Sequence, residues 1–153
     1  MVSGAPVTPS DFDRQCMLQA FQLARLGLGW VNPNPMVGAV LARDGQILGQ
    51  GYHRRLGAPH AEVEAIRQAK SKVDSLQGAT LYVTLEPCCH TGRTPPCVAA
   101  IVQEKIARVV ISEIDPNPLV SGKGVAALRA EGIVVENGLF LERALQQNDI
   151  FRH

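Results

Sequence analysis

The chain has 153 residues, with 15 Lys and Arg against 14 Asp and Glu, a formal net charge of +1, and 46% hydrophobic to 19% charged residues. That length and balance suit one packed domain and exclude both a disordered chain and two full domains. Without a cationic surplus, non-specific coating of nucleic acid is excluded as well, and the apolar runs are too short to span a bilayer.

Residues 1–10 read as a flexible lead of small residues, with no basic and apolar signal-peptide pattern. Ser10 is expected to cap a helix whose apolar positions include Met17, Leu18, Phe21, Leu23 and Ala24, and which Gly27 and Gly29 stop. Residues 31–35 hold two prolines and cannot be helical. Two apolar runs, 36–42 and 46–52, flank Arg43-Asp44-Gly45, a hairpin signal. Residues 60–70 have helical spacing, with Val63, Ile66 and Ala69 on one side. Residues 79–85 read as a buried strand that ends at Glu86-Pro87-Cys88. Pro95-Pro96 opens a helix from 97 to about 105. A strand follows at 107–112, then a loop at 115–118, a helix at 124–130, a short strand at 133–135 and a closing helix at 139–147. This α-β-β-α-β-α-β-α-β-α order predicts an α/β fold. It has three layers, α/β/α, around a central mixed sheet of about five strands.

Cys88, Cys89 and Cys97 fall within ten residues, and Cys16 stands apart on the first helix, where it is expected in the core. A disulfide between adjacent cysteines is strained. Clustered cysteines without a secretory signal therefore point to a metal or catalytic site in a reducing, cytoplasmic compartment. His60-Ala61-Glu62, Pro87-Cys88 and Pro96-Cys97 each stand where a strand or loop feeds a helix. In open α/β sheets ligands bind at such junctions. One imidazole and two thiolates give Zn²⁺ three protein ligands and leave a fourth tetrahedral position open, the catalytic pattern. Glu62, two residues past His60, is then placed to take and return a proton. A His-x-Glu followed by Pro-Cys matches the zinc nucleobase deaminases, although their cysteines are two residues apart and these are separated by eight. The plainer alternative makes Cys88 and Cys97 small buried apolar side chains.

The other polar candidates admit two readings each. His53 is a strand-edge histidine or a ligand contact, and His90 a solvated loop residue or a site residue. Arg93 is a surface charge or a bidentate phosphate fork. Asn34 satisfies turn backbone or pairs with a pyrimidine edge, and Asp115 and Asn117 are turn formers or contacts. Ser121-Gly122-Lys123-Gly124 lacks the remainder of a phosphate-loop pattern and is not one. Trp30, the sole tryptophan, is expected partly buried near the site or at an interface.

Four segments carry a resemblance: residues 34–38 (Asn-Pro-Met-Val-Gly), 57–62 (Gly-Ala-Pro-His-Ala-Glu), 84–97 with its Leu-Glu-Pro-Cys-Cys-His-Thr-Gly-Arg core, and 115–118 (Asp-Pro-Asn-Pro). In this order they closely resemble the deaminase domain of bacterial riboflavin-biosynthesis enzymes, within the cytidine-deaminase-like superfamily. The likeness runs from about residue 11 to the end of the chain. It implies a zinc-dependent deaminase domain over residues 11–147 and, at 148–153, the beginning of a junction to a nicotinamide-dependent reductase domain. No nicotinamide cofactor is expected in this chain itself. The implied substrate is 2,5-diamino-6-(5-phosphoribosylamino)pyrimidin-4(3H)-one, whose 2-amino group leaves as ammonia. His60, Cys88 and Cys97 are then ligands of one zinc ion and Glu62 the proton shuttle. Asn34, His53, His90, Arg93, Asp115 and Asn117 fall where such enzymes contact substrate. Cys89 departs from the small polar residue usual there. The partners implied are a small phosphorylated pyrimidine, a reductase domain or chain and a second copy of the chain, but neither nucleic acid nor membrane. Two alternatives remain at this point: a zinc deaminase of cytosine, guanine or an RNA base, and a structural zinc module. Low aromatic content, 5%, weakens an RNA substrate.

Overall fold

The computed structural model describes residues 8–31, 35–89 and 96–152, with side chains up to 147. Asn34, His90 and Arg93 lie outside the described residues. The elements are α1 (Asp11–Arg25), β1 (Gly38–Arg43), β2 (Gln46–Tyr52), α2 (Ala61–Lys70), β3 (Thr80–Leu85), α3 (Cys97–Gln103), β4 (Arg108–Glu113), α4 (Lys123–Ala130), β5 (Val134–Asn137) and α5 (Leu141–Arg152). They form a five-stranded sheet in the order β2-β1-β3-β4-β5. β1 runs antiparallel to both β2 and β3, while β3, β4 and β5 are parallel. The expected element order and the mixed three-layer sheet are both present.

Local chemistry accounts for the elements. Ser10 Oγ accepts the Asp13 N–H at 3.0 Å, and the Asp13 carboxylate accepts the Ser10 N–H at 2.9 Å, a reciprocal capping box that starts α1. Asp44 and Gly45, at φ 54° and 75°, make the tight hairpin between β1 and β2. Both central residues there need the left-handed region, which Asp tolerates and Gly adopts freely. The parallel strands are buried on both faces, so β3 and β4 read as continuous apolar runs.

One face of the sheet, with Leu41, Leu81, Val83, Val109 and Ile111, packs under α2, α3 and α4. The other, with Val40, Tyr82 and Val110, packs under α1 and Ala144 of α5. Cys16 lies in this second core, as expected, and burial pushes its thiol up to about 11.

Several expectations are corrected. α2 does not bury Val63 with Ile66 and Ala69. Its buried face is Ala61, Glu62, Ala65, Ile66 and Ala69, because the helix lies directly on the glycines of β2. A Cβ on Gly51 would stand 2.5 Å from the Ala61 carbonyl oxygen, and one on Gly49 would strike the Ala65 carbonyl. Only small residues fit on both sides of so close a contact. Trp30 is 69% exposed rather than partly buried, since the turn closed by its N–H to the Gly27 carbonyl carries the ring outward. β1 begins at Gly38 rather than 36, β5 runs to Asn137, and α5 begins at Leu141 and continues past 147 to Arg152. Among the described residues no helix is long and apolar enough to cross a membrane.

Candidate metal centre and active site

Because β1 is antiparallel to β3, one edge of the sheet gathers the entry to β1 and the exits of β2, β3 and β4. A cavity of about 280 Å³ opens there. Val37 precedes β1, His53 follows β2, Glu86 and Cys88 follow β3, Asp115 follows β4, and α2 contributes His60 and Glu62 at its N-terminus. The Ala–Gly contact between α2 and β2 therefore fixes where His60 and Glu62 stand.

His60 is the N-cap residue of α2, exposed on one side, with its ring turned toward the two thiols. Its Nδ1 lies 3.2 Å from Cys97 Sγ and 3.8 Å from Cys88 Sγ, and the three donor atoms all fall within 4.8 Å of one another. Ordinary zinc bond lengths at tetrahedral angles put such donors about 3.5–3.8 Å apart. The donor set and its spacing thus fit a zinc ion with three protein ligands, and one side of the cluster faces the cavity. Cys97 is the first residue of α3, and its backbone N–H donates to Cys88 Sγ at 3.3 Å. The Val98 N–H donates to the Cys88 carbonyl at 3.1 Å, so the two cysteine segments are tied together by backbone.

The electrostatics agree. A hydrogen bond from Cys97, helped by His60, draws the Cys88 thiol down to about 4, while that same bond and burial push Cys97 strongly up. The Cys88 hydrogen bond raises His60 above its ordinary value. Glu62 is 4% exposed, and burial pushes its carboxyl up to about 7, opposed by its own backbone N–H.

His53 is buried beside His60, the two rings 5.5 Å apart and edge to face. Its Nδ1 stands 3.3 Å from the Pro59 carbonyl, and burial lowers its pKa. Asp115 lines the cavity, and its Oδ1 accepts the Asn117 N–H at 2.9 Å. Asn117 is exposed, with its side-chain oxygen accepting the Leu119 N–H at 3.0 Å, and it does not line this cavity. Sequence reasoning gave no separate role to Glu86, whose buried carboxylate turns out to organise the adjoining loop.

The sequence pattern of the cytidine and deoxycytidylate deaminase zinc-binding region matches residues 10–113. The chain belongs to this deaminase family. Among curated relatives, it is 46% identical over 139 residues to the diaminohydroxyphosphoribosylamino-pyrimidine deaminase of Buchnera aphidicola, covering 91% of this chain and 92% of that one. It is 52% identical over 141 residues to the riboflavin biosynthesis protein RibD of Aquifex aeolicus, covering 92% of this chain but 39% of the relative. The solved Thermotoga maritima diaminohydroxyphosphoribosylaminopyrimidine deaminase/5-amino-6-(5-phosphoribosylamino)uracil reductase superposes with a TM-score of 0.87 at 48% identity, over 92% of this chain and 40% of that chain. This deaminase chain therefore spans about two fifths of the length of such RibD relatives.

Proposed function

We propose that the chain catalyses hydrolytic deamination of 2,5-diamino-6-(5-phosphoribosylamino)pyrimidin-4(3H)-one, a step of riboflavin biosynthesis. The carrying observation is the convergence of His60, Cys88 and Cys97 beside buried Glu62 at one cavity, in a chain that matches over 91% of its length a relative whose name states that activity. Water adds at C2 of the pyrimidine, the 2-amino group departs as ammonia, and a carbonyl remains.

We assign His60, Cys88 and Cys97 to one zinc ion per chain, which when bound supplies the Lewis acidity that makes water nucleophilic near neutral pH. Glu62 takes a proton from the attacking water and delivers it to the departing amine. Its place two residues after His60 in the first turn of α2 sets the carboxylate in the same cavity as the metal ligands. His53 and Asp115 form walls against which the ring is oriented. His53 is held by Pro59, and Asp115 by the Glu86 carboxylate. We assign Asn34, His90 and Arg93 to substrate from sequence alone, Arg93 to its phosphate. The product would pass to a reductase, in agreement with the second activity in the name of the Thermotoga relative.

The test is ammonia release from the phosphoribosylamino-diaminopyrimidine compared with cytidine and guanine, alongside zinc analysis. Turnover confined to the first substrate, with about one zinc per chain, is expected. Preference for cytidine or guanine, or full turnover by metal-free protein, would overturn the assignment.

A further inference from the structure

Glu86 follows the last residue of β3, and its N–H donates to the Glu113 carbonyl at 2.9 Å, so it leaves the sheet alongside β4. Its side chain is 6% exposed. A carboxylate so buried needs donors, and here they are all backbone. Oε1 accepts the N–H groups of Asp115 and Gly122, each at 3.0 Å, and Oε2 accepts the N–H of Val125 at 3.0 Å. Gly122 is the N-cap of α4 and offers no side chain to cap it; Val125 is the third residue of the helix. One carboxylate from a distant strand exit thus does the work of a missing cap and also closes the loop that begins at Asp115.

The adjoining backbone fits the same arrangement. A Cβ on Gly124 would strike the Pro87 carbonyl oxygen and stand 3.2 Å from Glu86 Oε2. The first turn of α4 therefore rests on the turn that carries Cys88. Asp115 lines the cavity opposite no rigid strand of its own, since β4 ends at Glu113. What holds its backbone at the cavity is the Glu86 carboxylate.

We propose that Glu86 is a positioning residue: it fixes Asp115, and with it one wall of the substrate cavity, relative to the turn bearing Cys88. The functional half of this rests on the deaminase reading; the structural half does not. Glu86 contributes no donor to the metal cluster, so its effect belongs in substrate binding rather than in zinc retention or proton transfer.

The first measurement is residue-resolved amide hydrogen exchange on the zinc-loaded wild-type chain. Asp115, Gly122 and Val125 are expected to exchange at least about a hundredfold more slowly than Asn117 and Leu119, whose N–H groups meet only exposed side-chain oxygens. Equal rates in the two sets would overturn the proposal. The second uses E86Q, which keeps shape but turns one acceptor into a donor facing backbone N–H. Zinc content is expected to stay at the wild-type level and protection to fall at those three amides. KM should rise by about tenfold or more with kcat changed much less, as expected for lost ground-state positioning. An unchanged KM, or a loss of zinc equal to the loss of activity, would overturn it. Should E86Q fail to fold, E86D, which keeps the charge on a shorter stem, takes its place in the same comparison. The exchange arm needs no substrate. A wild-type chain that releases no ammonia would count against the deaminase reading while leaving the role of Glu86 to be decided by exchange.

Discussion

Arg108 grips Asp13 bidentately, Nη1 to Oδ1 and Nη2 to Oδ2 at 2.9 Å each, although 95 residues separate them in the chain. Tyr82 donates its hydroxyl to Asp13 Oδ1 at 2.6 Å, and Arg108 Nε donates to Glu136 at 2.6 Å. One carboxylate in the first turn of α1 thereby joins that helix to β3 and β4, and through Arg108 to β5. The Arg108 guanidinium, with Tyr82 and the Ser10 N–H, holds the Asp13 carboxyl well below the ordinary carboxylate range.

The sign of the pH effect follows from that depression. A group whose pKa is lowered on folding adds stability that is fully present above its unfolded value, near 3.9, and is lost as pH falls through the lower folded value. Asp13→Asn should cost about 2–3 kcal/mol at pH 7, less than a fully buried pair because Arg108 is partly solvated and keeps Glu136. Urea unfolding at pH 7 and near pH 2 measures it. The gap between wild type and variant should narrow as pH drops below about 4; a gap independent of pH would contradict the charged role of Asp13.

The seat of α2 gives a second expectation. Gly51→Ala places a methyl 2.5 Å from the Ala61 carbonyl oxygen, next to both His60 and Glu62. The Ala61 carbonyl oxygen and the Ala65 nitrogen are helix backbone and Glu64 Cβ is fixed to it, so none of the three contacts yields cheaply. The variant should lose about 1–3 kcal/mol of stability, the usual cost of overpacking, and also lose turnover, whereas Gly57→Ala meets open space and its cost is confined to the positive φ at that turn. Thermal unfolding and ammonia release on both variants compare the two sites.

What the sequence could reveal follows the range of the forces involved. The N-cap at Ser10, the Asp44-Gly45 hairpin and the α/β alternation depend on neighbours within a few residues, and they were legible. That His60, Cys88 and Cys97 meet beside Glu62 was legible for a different reason: few residue types can hold a metal or move a proton, so such a pattern survives long gaps. Glu86 and Asp13 were not. The partners of Glu86, and those of Asp13 beyond Ser10, lie 29 to 39 and 69 to 95 residues away, and nothing local marks a carboxylate whose remaining donors arrive only once the sheet is assembled. Periodicity grouped Val63 with Ile66 and Ala69 on one side of α2, but the glycines of β2 favour alanines in the contact, so Ala61 and Ala65 are buried with Ile66 and Ala69 while Val63 is only partly buried. Asp115 and Asn117 looked equivalent in sequence, yet successive turns leave only the first at the cavity.

Glu62 supplies the third expectation. Glu62→Gln is nearly isosteric in its buried position and keeps an oxygen acceptor beside Cys97, with His60, Cys88 and Cys97 all present, so zinc content and the unfolding midpoint should stay close to wild type. An amide cannot accept the proton of the attacking water, and turnover should fall by roughly a hundredfold or more. Single-turnover ammonia release separates the chemical step from product release. Wild-type turnover in a zinc-loaded variant would remove Glu62 from the proton path.

The last expectation concerns the substrate's phosphate. The chain carries a net charge of only +1, so no long-range field holds an anion and its recognition must be local. The described lining of the cavity bears Glu62, Glu86 and Asp115 beside His53 and His60, and no Lys or Arg. We therefore assign the phosphate contact to a cation outside the described lining. Arg93 lies in the sequence between Cys88 and Cys97, whose sulfurs the fold brings to the cavity edge. A guanidinium there presents the bidentate fork that suits phosphate. Binding energy from that remote group would orient the reacting carbon, and it should appear in kcat/KM rather than in zinc content. Arg93→Ala should lower kcat/KM on the phosphorylated substrate by roughly ten- to a hundredfold, the size of one lost charge-assisted contact. The dephosphorylated analogue never makes that contact, so its kcat/KM should change far less. Both substrates on both proteins form a two-by-two comparison. Equal losses on the two substrates would exclude the phosphate and leave Arg93 shaping the segment between the two cysteines.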